Sequence, residues 1–178
     1  EAVWVDSEAF ERCVGEGAEL HRQQRWDEAL DRYREAQRLY RGDYMAEDIY
    51  ADWCAEERER LREIRLEMLT SMAECHAESD HWAEAVSVCR TVLVDDPCRE
   101  GIHRALMGYL VRLGHADSAI AQYRHCQRVL TKELGVEPMP ETSRLYRQII
   151  AGKAGHSVEN DDRLIREHGP ARTSLRHR

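Results

Sequence analysis

The block Trp82-Ala83-Glu84-Ala85 decides the fold, because a similar block occurs earlier in the chain as Trp26-Asp27-Glu28-Ala29. A third block, Ala116-Asp117-Ser118-Ala119, again has an alanine at its fourth position. The fourth-position alanines of the second and third blocks are 34 residues apart, and those of the first and second are 56 apart, which is one period plus a 22-residue insertion. A block that returns at a fixed period predicts a repeat architecture.

The residues around each block combine small and large side chains at helical spacing. In the first unit they are Gly17, Leu20, Ala29, Tyr33 and Ala36. Small residues let the two helices of a hairpin approach closely, and large residues fill the groove made by the next hairpin. The period and this pattern resemble tetratricopeptide repeats, which implies an all-α fold of tetratricopeptide-like helical hairpins stacked into a right-handed α-solenoid.

Apolar residues at helical spacing predict seven helices, since no segment shows sustained strand alternation. The predicted helices are Ser7–Arg22, Asp27–Tyr40, Cys54–Glu78, Trp82–Val94, Arg99–Leu113, Ala116–Leu134 and Glu141–Ala151. The aromatic-rich insertion from Gly42 to Trp53 is predicted to be an ordered loop with a short helical turn. We expect residues 1–152 to form one domain and residues 153–178 to be a flexible polar tail or linker.

Charge is distributed unevenly along the chain. The formal charge is −8, and residues 153–178 contain six Lys/Arg and four Asp/Glu, so residues 1–152 hold 20 basic and 30 acidic residues and carry −10. Phosphate backbones repel so acidic a body, which predicts that it does not bind nucleic acid by itself. No apolar stretch approaches the roughly 20 residues that span a membrane, and no signal peptide is present. We therefore expect a cytoplasmic protein without membrane contact.

The six cysteines are scattered without a CxxC pair, which predicts free thiols in a reducing compartment. Cys89 and Cys126 fall at packed repeat positions, where cysteine behaves as a small hydrophobe, and nothing has the spacing of a zinc finger. The motifs GxSxG, GxxxxGK[ST] and GxGxxG are absent as well. We therefore predict no catalytic, cofactor-binding or metal-binding residues and no enzymatic activity.

The first helix of each hairpin lines the inner surface of a tetratricopeptide stack. The outward-facing candidates there are His21, Arg22, Glu67, Thr70, Glu74, Arg104 and Arg112. This mixture of Arg, Glu and His suits a groove for a peptide or an acidic ligand, and an empty solvated groove is the alternative. In the insertion, Tyr44, Tyr50 and Trp53 either form an exposed aromatic contact for a partner or pack the insertion against the first repeat.

Several ordered blocks in and around the insertion resemble one family of regulators. They include Leu39-Tyr40-Arg41-Gly42-Asp43-Tyr44-Met45, Tyr50, Asp52-Trp53, Glu56-Glu57-Arg58-Glu59-Arg60-Leu61 and Leu134-Gly135-Val136-Glu137-Pro138. Over about residues 4–150 the chain resembles the bacterial transcriptional activator domain of antibiotic-regulatory-protein-class transcription regulators. The resemblance implies a helical module that normally follows a winged helix-turn-helix DNA-binding domain, which this sequence does not contain.

What the resemblance implies is a regulatory, oligomerisation and protein-interaction module of a bacterial transcriptional regulator. Its expected partners are neighbouring regulator domains, a second copy as a dimer and RNA polymerase, with DNA reached only through the N-terminal domain absent here. The alternative is a free-standing tetratricopeptide adaptor that binds a peptide, a protein or a small-molecule signal. A product about 100 residues longer at its N-terminus would favour the regulator.

Overall fold

The computed structural model of the chain describes residues 2–40 and 52–152, with side chains for residues 7–40 and 55–152. In these ranges the chain forms seven helices and no strand, which confirms the all-α prediction. The helices are α1 (Ala2–Arg22), α2 (Trp26–Leu39), α3 (Asp52–Glu78), α4 (Trp82–Asp95), α5 (Glu100–Arg112), α6 (Ala116–Leu134) and α7 (residues 140–152). The predicted tail, residues 153–178, and residues 42–51 of the predicted insertion loop lie outside the described residues.

Two predicted boundaries were wrong. The first helix begins at Ala2 and runs through Ser7, the position predicted to start it. Residues 52 and 53, predicted to belong to the insertion loop, are the first residues of α3. Asp and Ser are favoured as N-caps, but a capping residue type does not force a helix to begin there, and helix ends are the least predictable part of an element.

The same turn joins the two helices of each hairpin. Gln24, Asp80 and Gly114, each two residues before the second helix, have φ of 59°, 59° and 79°. The next residue then donates its backbone N–H to a carbonyl five residues back, in Arg25 to Leu20 at 3.0 Å and in the equivalent bonds of the other two turns at 2.8 Å. A residue in the left-handed conformation followed by this hydrogen bond ends the first helix and sets the direction in which the second helix begins. Because the three turns share this backbone conformation, the repeat is present in the backbone as well as in the sequence.

Small residues sit where the paired helices approach closely. The fourth-position alanines of the three blocks, Ala29, Ala85 and Ala119, are all fully buried. On α1, a Cβ placed on Gly17 would lie 2.5 Å from Cε1 of Tyr33 on α2. Because real Cβ contacts are never this short, glycine is the residue that lets α1 and α2 pack at this distance. The predicted alternation of small and large residues therefore corresponds to the packing of α1 against α2 in the first hairpin.

One hydrophobic core runs through the three hairpins and ends on α7. Its members come from every unit, with Leu30 and Met68 in the first two and Leu106 in the third. The last helix closes the third hairpin, where the rings of Tyr123 and Tyr146 stack with centroids 4.0 Å apart and planes 9° apart. None of the described helices is both long enough and apolar enough to cross a membrane.

Candidate functional site

A cleft of about 350 Å³ lies between α3 and α5, the first helices of the second and third hairpins. This is where the repeat pattern predicts a groove. Its lining comprises Thr70, Ala73, Glu74, Cys89, Arg99, Gly101, Ile102, Arg104, Ala105 and Tyr109. The volume is at the small end of the range that ligand-binding clefts occupy, so it suits one or two side chains of a bound peptide.

The two sides of the cleft differ in charge. Glu74 on α3 lies 3.7 Å from Nε2 of His21 on α1, so the first helices of two hairpins meet at this carboxylate. Arg104 on α5 donates from Nη1 to Oγ1 of Thr142 on α7, at 3.3 Å. In the described part of the chain Arg104 forms no salt bridge, so its guanidinium can still pair with an acidic group.

The polar hydroxyl of Thr70 is already occupied. It donates to the backbone carbonyl of Leu66 at 2.9 Å, one turn earlier on α3. The single hydroxyl proton of Thr70 is therefore not available to a ligand. On the α3 side, Thr70 and Ala73 line the cleft beside the carboxylate of Glu74.

Burial controls the ionisable groups at the base of the cleft. It raises the pKa of the Cys89 thiol to about 12, with Glu74 adding to the rise. It likewise raises the pKa of Tyr109 to about 12, and the neighbouring Cys89 and Glu74 act in the same direction. A nucleophilic cysteine needs a lowered pKa, so Cys89 is a protonated packing residue.

The predicted groove residues divide into two groups. Thr70, Glu74 and Arg104 line the cleft, and His21 reaches it through its contact with Glu74. The other three predicted residues do not line it: Arg22 is exposed and pairs with Glu19, Glu67 is exposed on α3, and Arg112 lies over the Trp82 ring at 5.4 Å. The role of all seven as contact residues stays a prediction.

The predicted insertion contact cannot be placed. Tyr44 and Tyr50 lie outside the described residues, as does the side chain of Trp53, whose backbone belongs to the first turn of α3. The nearest described aromatic residue is Tyr40, just before the insertion. Its ring packs on Phe10 of α1 with centroids 5.4 Å apart, under the guanidinium of Arg65.

Apart from Arg104, the α5 face of the cleft was not predicted from the sequence. Gly101, Ala105 and Tyr109 are four residues apart, so they lie on one side of a helix, and all three line the cleft. That spacing of two small residues and an aromatic one was the available signal. Arg99 also lines the cleft, held by Asp96 at 2.9 Å and by Glu63 on α3. Its contact to α3 depends on tertiary packing and leaves no sequence signal.

Two pairs of histidine side chains approach each other elsewhere, but no three His, Cys, Asp or Glu side chains converge on a metal-sized point within the described ranges. The rings of His76 and His81 have centroids 6.1 Å apart. Burial raises the pKa of Cys126 to about 12, and a thiol must lose its proton to bind zinc well. Cys126 is fully buried at its repeat position, where cysteine packs as a small hydrophobe.

Comparisons with known proteins agree with the fold. Residues 5–150 match the bacterial transcriptional activator domain family. The chain is 37% identical over 112 residues to regulatory protein AfsR of Streptomyces griseus, covering 63% of this chain and 11% of AfsR. It is 29% identical over 152 residues to regulatory protein DnrI of Streptomyces peucetius, covering 85% and 56%. The chain thus spans a tenth of one relative and about half of the other.

Two solved structures share the fold. Mycobacterium tuberculosis EmbR, solved in complex with a low-affinity phosphopeptide, superposes with a TM-score of 0.75 at 19% identity, over 83% of this chain and 39% of EmbR. The C-terminal TPR-containing domain of a Plasmodium falciparum FK506-binding protein superposes with a TM-score of 0.59 at 14% identity, over 86% and 93%. At such identities the likeness concerns the fold alone, and it confirms the tetratricopeptide-like architecture.

Proposed function

Since this chain belongs to the bacterial transcriptional activator domain family, we propose that it is the regulatory, oligomerisation and protein-interaction module of a transcriptional regulator in the bacterial cytoplasm. Its partners are neighbouring domains of the regulator, a second copy of the chain and RNA polymerase. DNA is read by a winged helix-turn-helix domain outside these residues. The module acts by binding and has no catalytic role of its own.

The observation that carries the proposal is the family match over residues 5–150, and the cleft between α3 and α5 supplies its candidate contact surface. The cleft combines a guanidinium without an acidic partner among the described residues, Arg104, with a carboxylate, Glu74, across a floor of small residues. A bound segment can place an acidic group on Arg104 and a small apolar side chain on the floor. A desolvated arginine in a pocket is a common centre of binding energy.

The test uses the full chain fused to a monomeric DNA-binding domain that cannot activate transcription alone. We expect the fusion to sediment as a dimer and to activate a reporter that carries the operator of that domain. Arg104→Glu should reduce activation about tenfold or more, because it places a like charge against the acidic group of the partner. Arg124→Glu, an exposed arginine of α6 that does not line the cleft, is the matched control and should activate as the unchanged chain does.

A monomeric fusion that leaves the reporter silent would contradict the proposal. Unchanged activation by Arg104→Glu would show that the cleft does not contribute to partner binding. The regulatory role inferred from the family would remain. Circular dichroism of both variants checks that each is folded, since Arg104 also bonds to Thr142.

A free-standing adaptor is the second candidate, favoured by the superposition on a TPR-containing domain over 93% of that chain. The mass of the product made from its own gene separates the two. A product about 100 residues heavier at the N-terminus supports the regulator, because a winged DNA-binding domain has that size. A product of the present size supports the adaptor.

A further inference from the structure

A second cavity, of about 620 Å³, lies between the turn joining α5 to α6 and the end of α7. Its apolar lining comes from Val111, Ala116, Leu145 and Ile149, and the glycines at 114 and 152 complete the rim. Val111 is 40% exposed, although it is a large apolar residue. The remaining lining residues, His115, Asp117, Ser118 and Gln148, are polar. Well-packed proteins leave few spaces of this size, so its origin needs a physical reason.

The repeat supplies that reason, because the other two hairpins fill the same position with an indole. The first residues of α2, α4 and α6 are Trp26, Trp82 and Ala116. The Trp26 ring packs edge-on against His21, with centroids 5.2 Å apart. The Trp82 ring packs against Tyr109 at 5.9 Å. The third hairpin has only a methyl group where the first two have an indole.

The α7 wall of the cavity also has smaller side chains than the matching α5 wall beside Trp82. In the second hairpin the Trp82 indole is covered by Tyr109 and by Arg112, which lies 5.4 Å above the ring. Counted from the first residue of each helix, these positions of α5 correspond to Ile149 and Gly152 of α7. An indole, a phenol and a guanidinium are thus replaced by a methyl, a butyl and a hydrogen. The cavity therefore occupies the space that the larger groups fill in the second hairpin.

We propose that this cavity binds an aromatic side chain, an indole by preference, presented by a polypeptide segment outside residues 1–178. The chain itself places indoles at the two equivalent positions, so the surrounding backbone geometry is already suited to one. Residues 153–178 start at the rim, directly after Gly152, but contain no Phe, Tyr or Trp. The neighbouring stretch of the chain therefore cannot supply the group.

An aromatic group is also the occupant that the physical chemistry favours. Burial of one aromatic side chain removes about 150–250 Å² from water, and aromatic anchors inserted in pockets dominate the binding energy of many interfaces. The site lies at the end of the solenoid, apart from the cleft between α3 and α5, and shares no lining residue with it. It therefore goes beyond the proposed function and does not depend on it.

The test titrates N-acetyl-tryptophanamide into the isotope-labelled chain of residues 1–178 and follows backbone amide resonances. We expect saturable shifts centred on Val111, Gly114 and Ile149, and binding at least fivefold weaker for N-acetyl-leucinamide. Ala116→Trp supplies the indole within the chain. It should weaken binding at least tenfold and raise the Tm by about 2–4 °C, as a modest gain in buried area does in a chain of this size.

The matched control is Ala121→Trp, at an exposed alanine of the same helix that does not line the cavity. It should bind the probe as the unchanged chain does. The absence of saturable shifts at the cavity in the unchanged chain overturns the proposal. So does an Ala116→Trp variant that has a lower Tm or still binds the probe, because the cavity is then not a vacant tryptophan position.

Two other occupants have their own readouts. If the probe binds only after Leu164→Ser and Ile165→Ser, residues 153–178 fill the cavity and the proposal is overturned. If the cavity resonances shift with protein concentration alone, and sedimentation shows a dimer that Ala116→Trp abolishes, a second copy fills it and the proposal is likewise overturned.

Discussion

At the residue scale, Gly17 fixes how closely α1 approaches α2. Gly17→Ala would place a methyl group 2.5 Å from the buried ring of Tyr33. Overpacking costs about 1–3 kcal/mol, which outweighs the gain of up to about 1 kcal/mol from alanine in a helix. Gly15→Ala is the control, because its Cβ meets nothing within 4 Å, and it should stabilise the chain by about that gain. Urea denaturation measures both, and equal effects would contradict the close approach.

A second residue-scale prediction concerns His103, a fully buried histidine whose two ring nitrogens are both bonded. The Pro97 carbonyl can only accept, so Nε2 donates to it at 2.9 Å and Nδ1 accepts from the amide of Gln122 at 2.6 Å. A proton added to Nδ1 would face that amide. Burial and the nearby His125 lower the pKa of His103, although the Pro97 bond and Glu100 oppose the shift.

The sign of the pH effect follows from that lowered pKa. Below the unfolded-state pKa of about 6.5 the unfolded chain binds a proton that the folded chain refuses, so the free energy of unfolding falls as the pH falls. We expect urea denaturation to show lower stability at pH 5.5 than at pH 7.5. His103→Gln should reduce that difference without removing it, because burial also lowers the pKa of His76. A variant with the full pH difference would show that His103 is protonated while folded.

At the element scale, the three turns make the same conformational demand of different residues. Gln24 and Asp80 have a φ of 59° where the third turn has Gly114. A left-handed residue with a Cβ costs about 1–2 kcal/mol, and least for Asp or Asn. Gln24→Gly should therefore stabilise the chain by about 0.5–1 kcal/mol and Asp80→Gly by less, while Gly114→Ala should destabilise it by about 1 kcal/mol. Gln23→Gly, one residue earlier, is the control and should not stabilise the chain. Thermal unfolding measures all four variants, and a gain in stability for Gln23→Gly equal to that for Gln24→Gly would contradict the prediction.

Repeat elements also explain how far the sequence could predict this structure. The alanine blocks predict the hairpins because Ala29, Ala85 and Ala119 stand at the close contacts, so a short-range pattern reports the packing directly. The cleft was predicted only through residues on the first helices, such as Arg104. Arg99 was missed because its place is fixed by Glu63 on another helix, and contacts between distant segments leave no periodic trace.

At the scale of the whole molecule, we expect charge to separate the proposed functions of partner binding and DNA binding. Residues 1–152 carry −10 and the segment from 153 to 178 carries +2. Several of the arginines of the body are neutralised by neighbours, as Arg60 is by Glu11 at 2.6 Å and by Glu57 at 2.7 Å. A surface of this kind can select a protein partner by local charge while its overall field excludes nucleic acid.

The last prediction tests that separation. Non-specific DNA binders have dissociation constants of about 10⁻⁴–10⁻⁶ M at physiological salt, and these tighten as salt is lowered, because basic residues displace counterions. We expect the chain, titrated to about 100 µM against a labelled 30-base-pair duplex, to show no saturable change in anisotropy at about 150 mM salt. A fusion to a winged DNA-binding domain is the positive control. Because phosphate and the acidic body repel each other at every salt concentration, lowering the salt to about 50 mM should reveal no binding either. Sequence-selective, salt-sensitive binding by the chain alone would show that it has a basic DNA-contact surface. The proposal that DNA binding belongs to a separate domain would then be wrong.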